Sequence, residues 1–421
     1  MSYFGYDKNI LDLEIDRLIK DNTSDKYLQD ETWNFYKKYK DVLTDVAIKK
    51  NVTIIVTSKH ATTILRLVEG LIEKCNIKSI SEIILPLSQM NEDKKENIRI
   101  IKNFLLEKNI EEKYNLKEIV DKLITIEDVD KLNRITHYLL TIKKINVTDR
   151  LEIVDILLRA SNSAISSIAE KISLEHMNDY ENINEVKEIT CVLAESIGTK
   201  QAEYAYYVVN LKMNFNLKIA LIRIMANLEQ ADLSMFLYYF INKIRYYEIS
   251  DELIIECVKM MANSRGISQF KCAEDMLFKG ILKMIDFENV CKLAEIISKS
   301  SGKLQAELAY DVAINLIGNV TLEQLYLLVN MISVASDIQI KYITMINKMY
   351  DFIGINNVIK YINVISKLDN EEDIIKEFLI IIKEYISIIN SLNNTKMVEN
   401  IVEVNHILID DLMNTYHKLS K

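Results

Sequence analysis

Proline is nearly missing from this sequence, one residue in 421, and glycine is scarce at 8. Globular chains use roughly 7% glycine and 5% proline. A phosphate-cradling loop needs clustered glycines so that backbone N–H groups can turn toward the anion. Neither G-x-G-x-x-G nor G-x-x-x-x-G-K-[ST] occurs, and G-x-S-x-G, the setting of a serine nucleophile, is absent too. The five histidines, His60, His137, His176, His406 and His417, form no H-E-x-x-H and lie near no other His or Cys, so no zinc spacing exists. Five cysteines make no C-x-x-C pair and are expected to be small buried hydrophobes in a reducing compartment. No apolar run approaches the roughly 20 residues that cross a bilayer; Phe378 to Ile382 is cut off by Lys383 and Glu384. No basic n-region and apolar h-region open the chain, so a cytoplasmic location without membrane contact is expected. The charge, 52 Lys+Arg against 61 Asp+Glu, lacks the basic excess of a phosphate-binding surface. From these absences the expectation is a non-enzyme with no catalytic residue, cofactor or metal.

What is present is helix-forming. Hydrophobic residues make up 49% of the chain and breakers are rare, which predicts an all-α fold with helix above 70% and no sheet of more than two strands. The chain also repeats itself. Ser196-Ile-Gly198-Thr-Lys-Gln201-Ala202-Glu-Tyr-Ala205 is echoed by Ser264-Arg-Gly266-Ile-Ser-Gln269-Phe-Lys-Cys-Ala273 and by Ser300-Ser-Gly302-Lys-Leu-Gln305-Ala306-Glu-Leu-Ala309. The glycines stand 68 and 36 residues apart, and the longer interval hides a further unit, where Leu237-Tyr-Tyr-Phe240 aligns with Ala205-Tyr-Tyr-Val208. Asn162 and Asp337 continue the series on either side, giving a period of about 35 residues, the mark of a stacked repeat.

Each unit reads as two helices. Val290, Leu293, Ala294 and Ile297 make the apolar stripe of a first helix, and Gln305, Ala306, Ala309, Val312, Ala313 and Leu316 belong to a second. The shared Gly, Asn or Asp between them is expected to adopt positive φ as a helix-ending residue, Gly302 included. Thr148 or Asp149 is the expected cap of the first clear unit. Weaker hairpins are expected over 80–109, with Pro86 early in its first helix, over 115–144, and over 355–392, with a last helix at 395–420. Residues 1–75, with the lone Trp33 and a β-like run Val52-Thr-Ile-Ile-Val56, are expected to form an N-terminal cap or accessory region. Residues 76–421 would be one continuous superhelix with its clearest repeats at 147–352. The expected fold is an α-solenoid of antiparallel helix hairpins.

The pattern G-x-x-Q-A-x-x-A, best kept at Gly198/Gln201/Ala202/Ala205, Gly266/Gln269/Ala273 and Gly302/Gln305/Ala306/Ala309, resembles bacterial HEAT-like α-helical repeats. The resemblance implies a solenoid that binds proteins, in some cases nucleic acid. The unit at 226–240 departs from it: it lacks the glycine and carries Phe236 and Leu237 near the small positions, implying a wider gap between helices or a changed curvature.

Second helices of such stacks line an inner groove. If Ala202, Ala205 and Val209 face the core, then Glu203, Tyr207 and Asn210 lie opposite. The equivalent positions are Met235, Tyr239 and Asn242, then Lys271 and Asp275, then Glu307 and Asp311. Glu203, Tyr207, Asn210, Tyr239, Asn242, Asp275, Glu307 and Asp311 are therefore the candidate partner-binding residues, tyrosines giving rigid contact area and acids and amides specificity. Packing of Tyr207 and Tyr239 between repeats is the competing expectation. The acidic pairs Asp149/Glu152 and Glu371/Glu372/Asp373 fit helix starts better than paired catalytic carboxylates. The lysine pairs at 49–50, 94–95 and 143–144 are interleaved with acids and suit solvated faces. The expected partner is another protein or peptide, with nucleic-acid binding, or an acidic groove mimicking nucleic acid, as the alternative.

Overall fold

The computed structural model describes residues 6–75, 80–142, 145–176, 182–282, 286–347, 354–367 and 380. Helix accounts for 79% of them and none is in a strand, as expected. The chain divides into two compact units, Met1–Tyr206 and Tyr207–Lys421. The first holds α1 (Tyr6–Asn22), α2 (Lys26–Tyr39), α3 (Asp45–Thr57), α4 (Ala61–Cys75), α5 (Ile80–Ser88), α6 (Lys95–Leu105), α7 (Ile110–Lys113), α8 (Leu116–Leu123), α9 (Val129–Thr141), α10 (Val147–Leu158), α11 (Ser163–Glu175), α12 (Ile183–Ala194) and most of α13 (Thr199–Val209). The second holds α14 (Phe215–Ala226), α15 (Ser234–Ile244), α16 (Asp251–Ala262), α17 (Ile267–Leu282), α18 (Phe287–Ser298), α19 (Lys303–Leu316), α20 (Leu322–Val334), α21 (Asp337–Asn347) and α22 (Ile355–Lys367). The helices expected over 371–392 and 395–420 lie outside the described residues.

Within each unit a helix packs on its sequence neighbour and on the helix after that. In the first, α1, α3, α5 and α8 follow one another in one row and α2, α4, α6, α9 and α11 in a second. In the second, α14, α16, α18, α20 and α22 form the row of first helices and α15, α17, α19 and α21 the row of second helices. Contacts limited to near neighbours along the chain are the defining property of a solenoid.

Helix starts, rather than helix ends, carry the punctuation that glycine and proline do not supply. Asp25, Thr44, Asn115, Asp128, Asn146, Asn162, Asn182, Asn214, Ser250 and Thr321 are N-caps whose side chains accept from backbone N–H groups of the first turn. The cap of α10 is thus Asn146, not Thr148 or Asp149. The β-like run 52–56 is inside α3, which buries Ile48, Val52 and Ile55 on one face. β-branched residues lower helix propensity by only a few tenths of a kcal/mol, and that burial outweighs it. Pro86 stands near the C-terminal end of α5 rather than early in it.

The expectation for Gly302 is overturned. It is the N-cap of α19, in extended backbone with φ −155° and ψ 179°. Among the described residues positive φ occurs only at Asn109, Gly318 and Gly354. Asn162 is likewise an N-cap with φ −151°. The residue equivalent to Gly302 in the next unit is Ser336 and not Asp337, because Gln339 returns its Oε1 to the Ser336 N–H at 2.7 Å and Ser336 Oγ accepts from Gln339 N at 3.3 Å.

The glutamine three residues into the second helix explains both the motif and the glycine. Gln269 Nε2 donates to Ser300 O (3.3 Å), Gln305 Nε2 to Ala335 O (2.9 Å) and Gln339 Nε2 to Ile365 O (3.0 Å). Each bond ties one repeat to the end of the first helix in the next. A Cβ on Gly302 would lie 2.5 Å from Gln305 Oε1, and on Gly266 3.0 Å from Gln269 Oε1. The glycine makes room for the folded-back amide. Other donors do the same work where the motif is absent: Gln230 Nε2 to Ser264 O (2.9 Å), Asn97 Nδ2 to Ile126 O (2.9 Å), and Lys131 Nζ to Leu158 O and Ala160 O (2.8 and 2.7 Å). His60 Nε2 lies 2.8 Å from Asn91 O, a carbonyl past the end of α5 that also accepts from Lys94 N at 3.0 Å. The carbonyls at a helix C-terminus have no partner within the helix, so the Gln, Asn and Lys side chains satisfy groups that would otherwise be buried unpaired.

Candidate partner-binding face

The row of second helices in the second unit is built from side chains that alternate between core and surface. Ala273 on α17 and Ala306 and Ala309 on α19 are fully buried, and their small size lets the two helices approach closely. Residues one or two positions away, Lys271, Asp275, Glu307 and Asp311, are consequently turned outward and exposed. Asp275, Glu307 and Asp311 line one cleft with Lys271, Cys272, Glu274 and Tyr310. Three of the candidate residues are therefore brought together.

The electrostatics of the cleft are those of crowded acids. Burial, then the neighbouring Glu307, raises the Asp311 carboxyl above its ordinary range, with Lys279 opposing. Burial pushes the Cys272 thiol up to about 11, with Glu307, Asp275 and Asp311 adding to the effect. Burial likewise raises Glu274, against the pull of Lys243, whose Nζ is 3.6 Å away. Exposed lysines partly balance the acids: Lys279 Nζ reaches Asp275 at 3.0 Å and Tyr310 Oη at 2.7 Å, and Lys303 Nζ lies 3.7 Å from Glu307.

The tyrosines occupy the α15 side. Tyr207 and Tyr238 have ring centroids 5.8 Å apart, and Tyr238 and Tyr239 5.5 Å. Tyr239 is 59% exposed and Tyr207 37%, while Tyr238 between them is half-buried. The competing packing expectation applies to Tyr238 more than to either candidate. Asn242 is half-buried and accepts from Arg245 Nε through its carbonyl and its Oδ1 (3.2 and 3.1 Å), which commits it to the end of α15. Asn210 is exposed just past α13. Glu203 is exposed on α13 and belongs to the first unit. Cys272, Glu274, Lys279 and Tyr310 were not among the candidates, although the 36-residue period aligns Glu274 with Tyr310 as it aligns Asp275 with Asp311.

No known protein-family model matches this chain, and no curated protein does.

Elsewhere the chemistry-bearing residues serve the scaffold. Lys187 Nζ bridges Asp149 and Glu152, each at 2.5 Å, so that acidic pair shares one lysine. His137 is exposed on α9. Among the described residues no three of His, Cys, Asp and Glu gather as a metal site would require, and no helix is long and apolar enough to cross a membrane. His406 and His417 lie outside the described residues. Arg150, buried, donates to the Tyr114 hydroxyl and to Ile145 O (2.9 Å), and Tyr114 Oη donates to Leu139 O (2.6 Å), which caps the end of α9.

Glu170 on α11 yields a pH prediction. Burial raises its carboxyl from the ordinary 4.5 to about 7, with Arg134 opposing. The folded state therefore holds a proton that the unfolded state has released between those two pH values, and stability falls as pH rises through that window. Glu170→Gln, which keeps the neutral shape, is expected to raise stability at pH 8 by about 1–3 kcal/mol and to leave it unchanged near pH 4. Urea unfolding at the two pH values checks this; equal stability of the two proteins at pH 8 contradicts it.

Proposed function

We propose that the chain is a HEAT-like repeat adaptor that binds a cationic segment of another protein on the α15–α17–α19 row and catalyses no reaction. The observation that carries the proposal is the convergence of Asp275, Glu307 and Asp311 beside Tyr310, on the same row of helices as exposed Tyr239. A cluster of carboxylates around an aromatic hydroxyl suits lysine or arginine side chains, and tyrosine faces add cation–π and apolar contact. The lysines now paired with those acids are more than half exposed, and such pairs contribute only about 0–1 kcal/mol, so an incoming cation displaces them at little cost. The match to G-x-x-Q-A-x-x-A supports the HEAT-like kinship.

Anisotropy of a labelled Lys/Arg-rich peptide tests the proposal. Asp275→Asn with Glu307→Gln and Asp311→Asn is expected to weaken binding about tenfold or more, since each cost of about 1.4 kcal/mol is a factor of ten. Binding is also expected to weaken as pH falls through the raised range of Asp311, because protonation removes the charge that attracts the peptide. Unchanged affinity in the triple variant, or tighter binding of duplex DNA than of the peptide with a steep salt dependence, contradicts it.

A further inference from the structure

Cys257 on α16 and Cys291 on α18 are free thiols with their sulfurs 3.6 Å apart, one repeat apart in sequence and on adjacent first helices. We propose that this pair is an oxidation site: a peroxide converts it to a disulfide that joins consecutive repeats. The proposal is independent of the partner-binding reading.

Two sulfur atoms at 3.6 Å are in van der Waals contact, and a disulfide closes that separation to about 2.05 Å, a shift within reach of side-chain rotation and slight helix adjustment. Cys291 is part-exposed while Cys257 is only 2% exposed, so Cys291 is the thiol that meets the oxidant. Its thiolate sulfur attacks a peroxide oxygen, the O–O bond breaks, and Cys291 becomes a sulfenic acid with release of one water once the hydroxide takes up a proton. The Cys257 sulfur then attacks the Cys291 sulfur, the S–O bond breaks, and a second water leaves with the Cys257 proton. Two thiols are oxidised by two electrons, and one hydrogen peroxide is reduced to two waters. The burial of the resolving thiol against its partner is what makes the second step intramolecular.

Contact with Cys257 and burial hold the Cys291 thiol well above its ordinary range, and the carboxylates of Glu256 and Asp286 act in the same direction. The thiolate fraction at neutral pH is therefore small, and proximity rather than acidity selects this pair. Because Cys257 and Cys291 flank α17 in sequence, the crosslink would tie the two first helices on either side of the hairpin helix that carries Asp275.

The test is peptide mapping of the full chain after treatment with hydrogen peroxide and alkylation. The expected product is a linked pair of peptides from α16 and α18, about 2 Da lighter than the sum of the two reduced peptides and separated again by dithiothreitol. Cys257→Ala removes the resolving thiol and is expected to leave Cys291 as a sulfenic acid that dimedone traps, with no linked peptide. Phenylarsine oxide, which bridges adjacent thiols, is expected to protect both cysteines of the untreated chain from alkylation together. Linkage of either cysteine to a different one, a Cys291 sulfinic acid without crosslink in the unsubstituted chain, or two thiols that stay reduced overturns the proposal. If Cys257→Ala fails to fold, the mapping of the unsubstituted chain and the arsenical protection still decide it.

Discussion

Phe240→Ala is expected to cost about 3–5 kcal/mol, the usual range for removing a fully buried phenylalanine. Phe240 lies on α15, where the small residues of the repeat motif are missing, and it is fully buried. Its ring meets Phe270 edge-on at 6.2 Å and Phe278 at 5.7 Å, and Phe278 continues to Tyr247 at 5.3 Å. Phe236 meets Phe270 at 6.1 Å from the same helix. The rings occupy the wider gap expected there: α15 meets α17 less closely than α17 meets α19, whose buried Ala306 and Ala309 allow close approach. Aromatic volume does in this unit what close backbone approach does in the next. Because the neighbouring side chains are themselves large rings, the site cannot collapse around the missing one. Urea unfolding followed by circular dichroism is the check. A cost below about 1 kcal/mol would mean that the cluster is not the support of this unit.

Gln305→Leu is expected to cost about 1–3 kcal/mol. It removes the bonds from Nε2 to Ala335 O and to Asp337 Oδ1, both 2.9 Å, and leaves Ala335 O with the longer bond from Ser301 Oγ at 3.3 Å. Gly302→Val is expected to cost a similar amount, because its Cβ would displace Gln305 from those bonds. The two losses share one cause. In the double variant they are expected to add to much less than their sum, the signature of coupled sites. Gly302→Ser is expected to cost less than Gly302→Val, since its Cβ meets Gln305 in the same way but its hydroxyl adds an N-cap bond that valine cannot make. Ser336 and Gln339 already show that serine and the stapling glutamine coexist. A left-handed Gly302 would give a different order, with Asn best and Ser strained. Full additivity of Gly302→Val and Gln305→Leu contradicts the staple.

The repeat was legible in the sequence because its geometry leaves two periodic traces. Buried alanines recur where helices touch, and Gln recurs where one turn reaches the next. The error at Gly302 has a physical source: Gly, Asn and Asp are favoured both at left-handed helix ends and at N-caps, and composition does not separate the two. The side chain three residues later does, since a folded-back Gln at that position belongs to an N-cap. Lys131 and Asn97 were not legible as staples because two different functional groups do the same job, and only the kind of carbonyl they reach is shared. The Val52–Val56 run misled because a β-branched stretch has the composition of a strand, whereas Thr44 and the spacing Ile48–Val52–Ile55 specify a helix. The acidic cleft was half legible. Asp275, Glu307 and Asp311 follow from the outward face of α17 and α19, while Cys272, Glu274 and Tyr310 are neighbours of that face whose exposure depends on how far the two helices stand apart.

The most direct measurement of the central claim is hydrogen exchange of the full chain with and without a saturating Lys/Arg-rich peptide. The account predicts slowed exchange concentrated in α15, α17 and α19, and its loss when Asp275, Glu307 and Asp311 are neutralised. Slowed exchange centred instead on the first-helix row of α14, α16 and α18, or the same pattern in the neutralised variant, would contradict it.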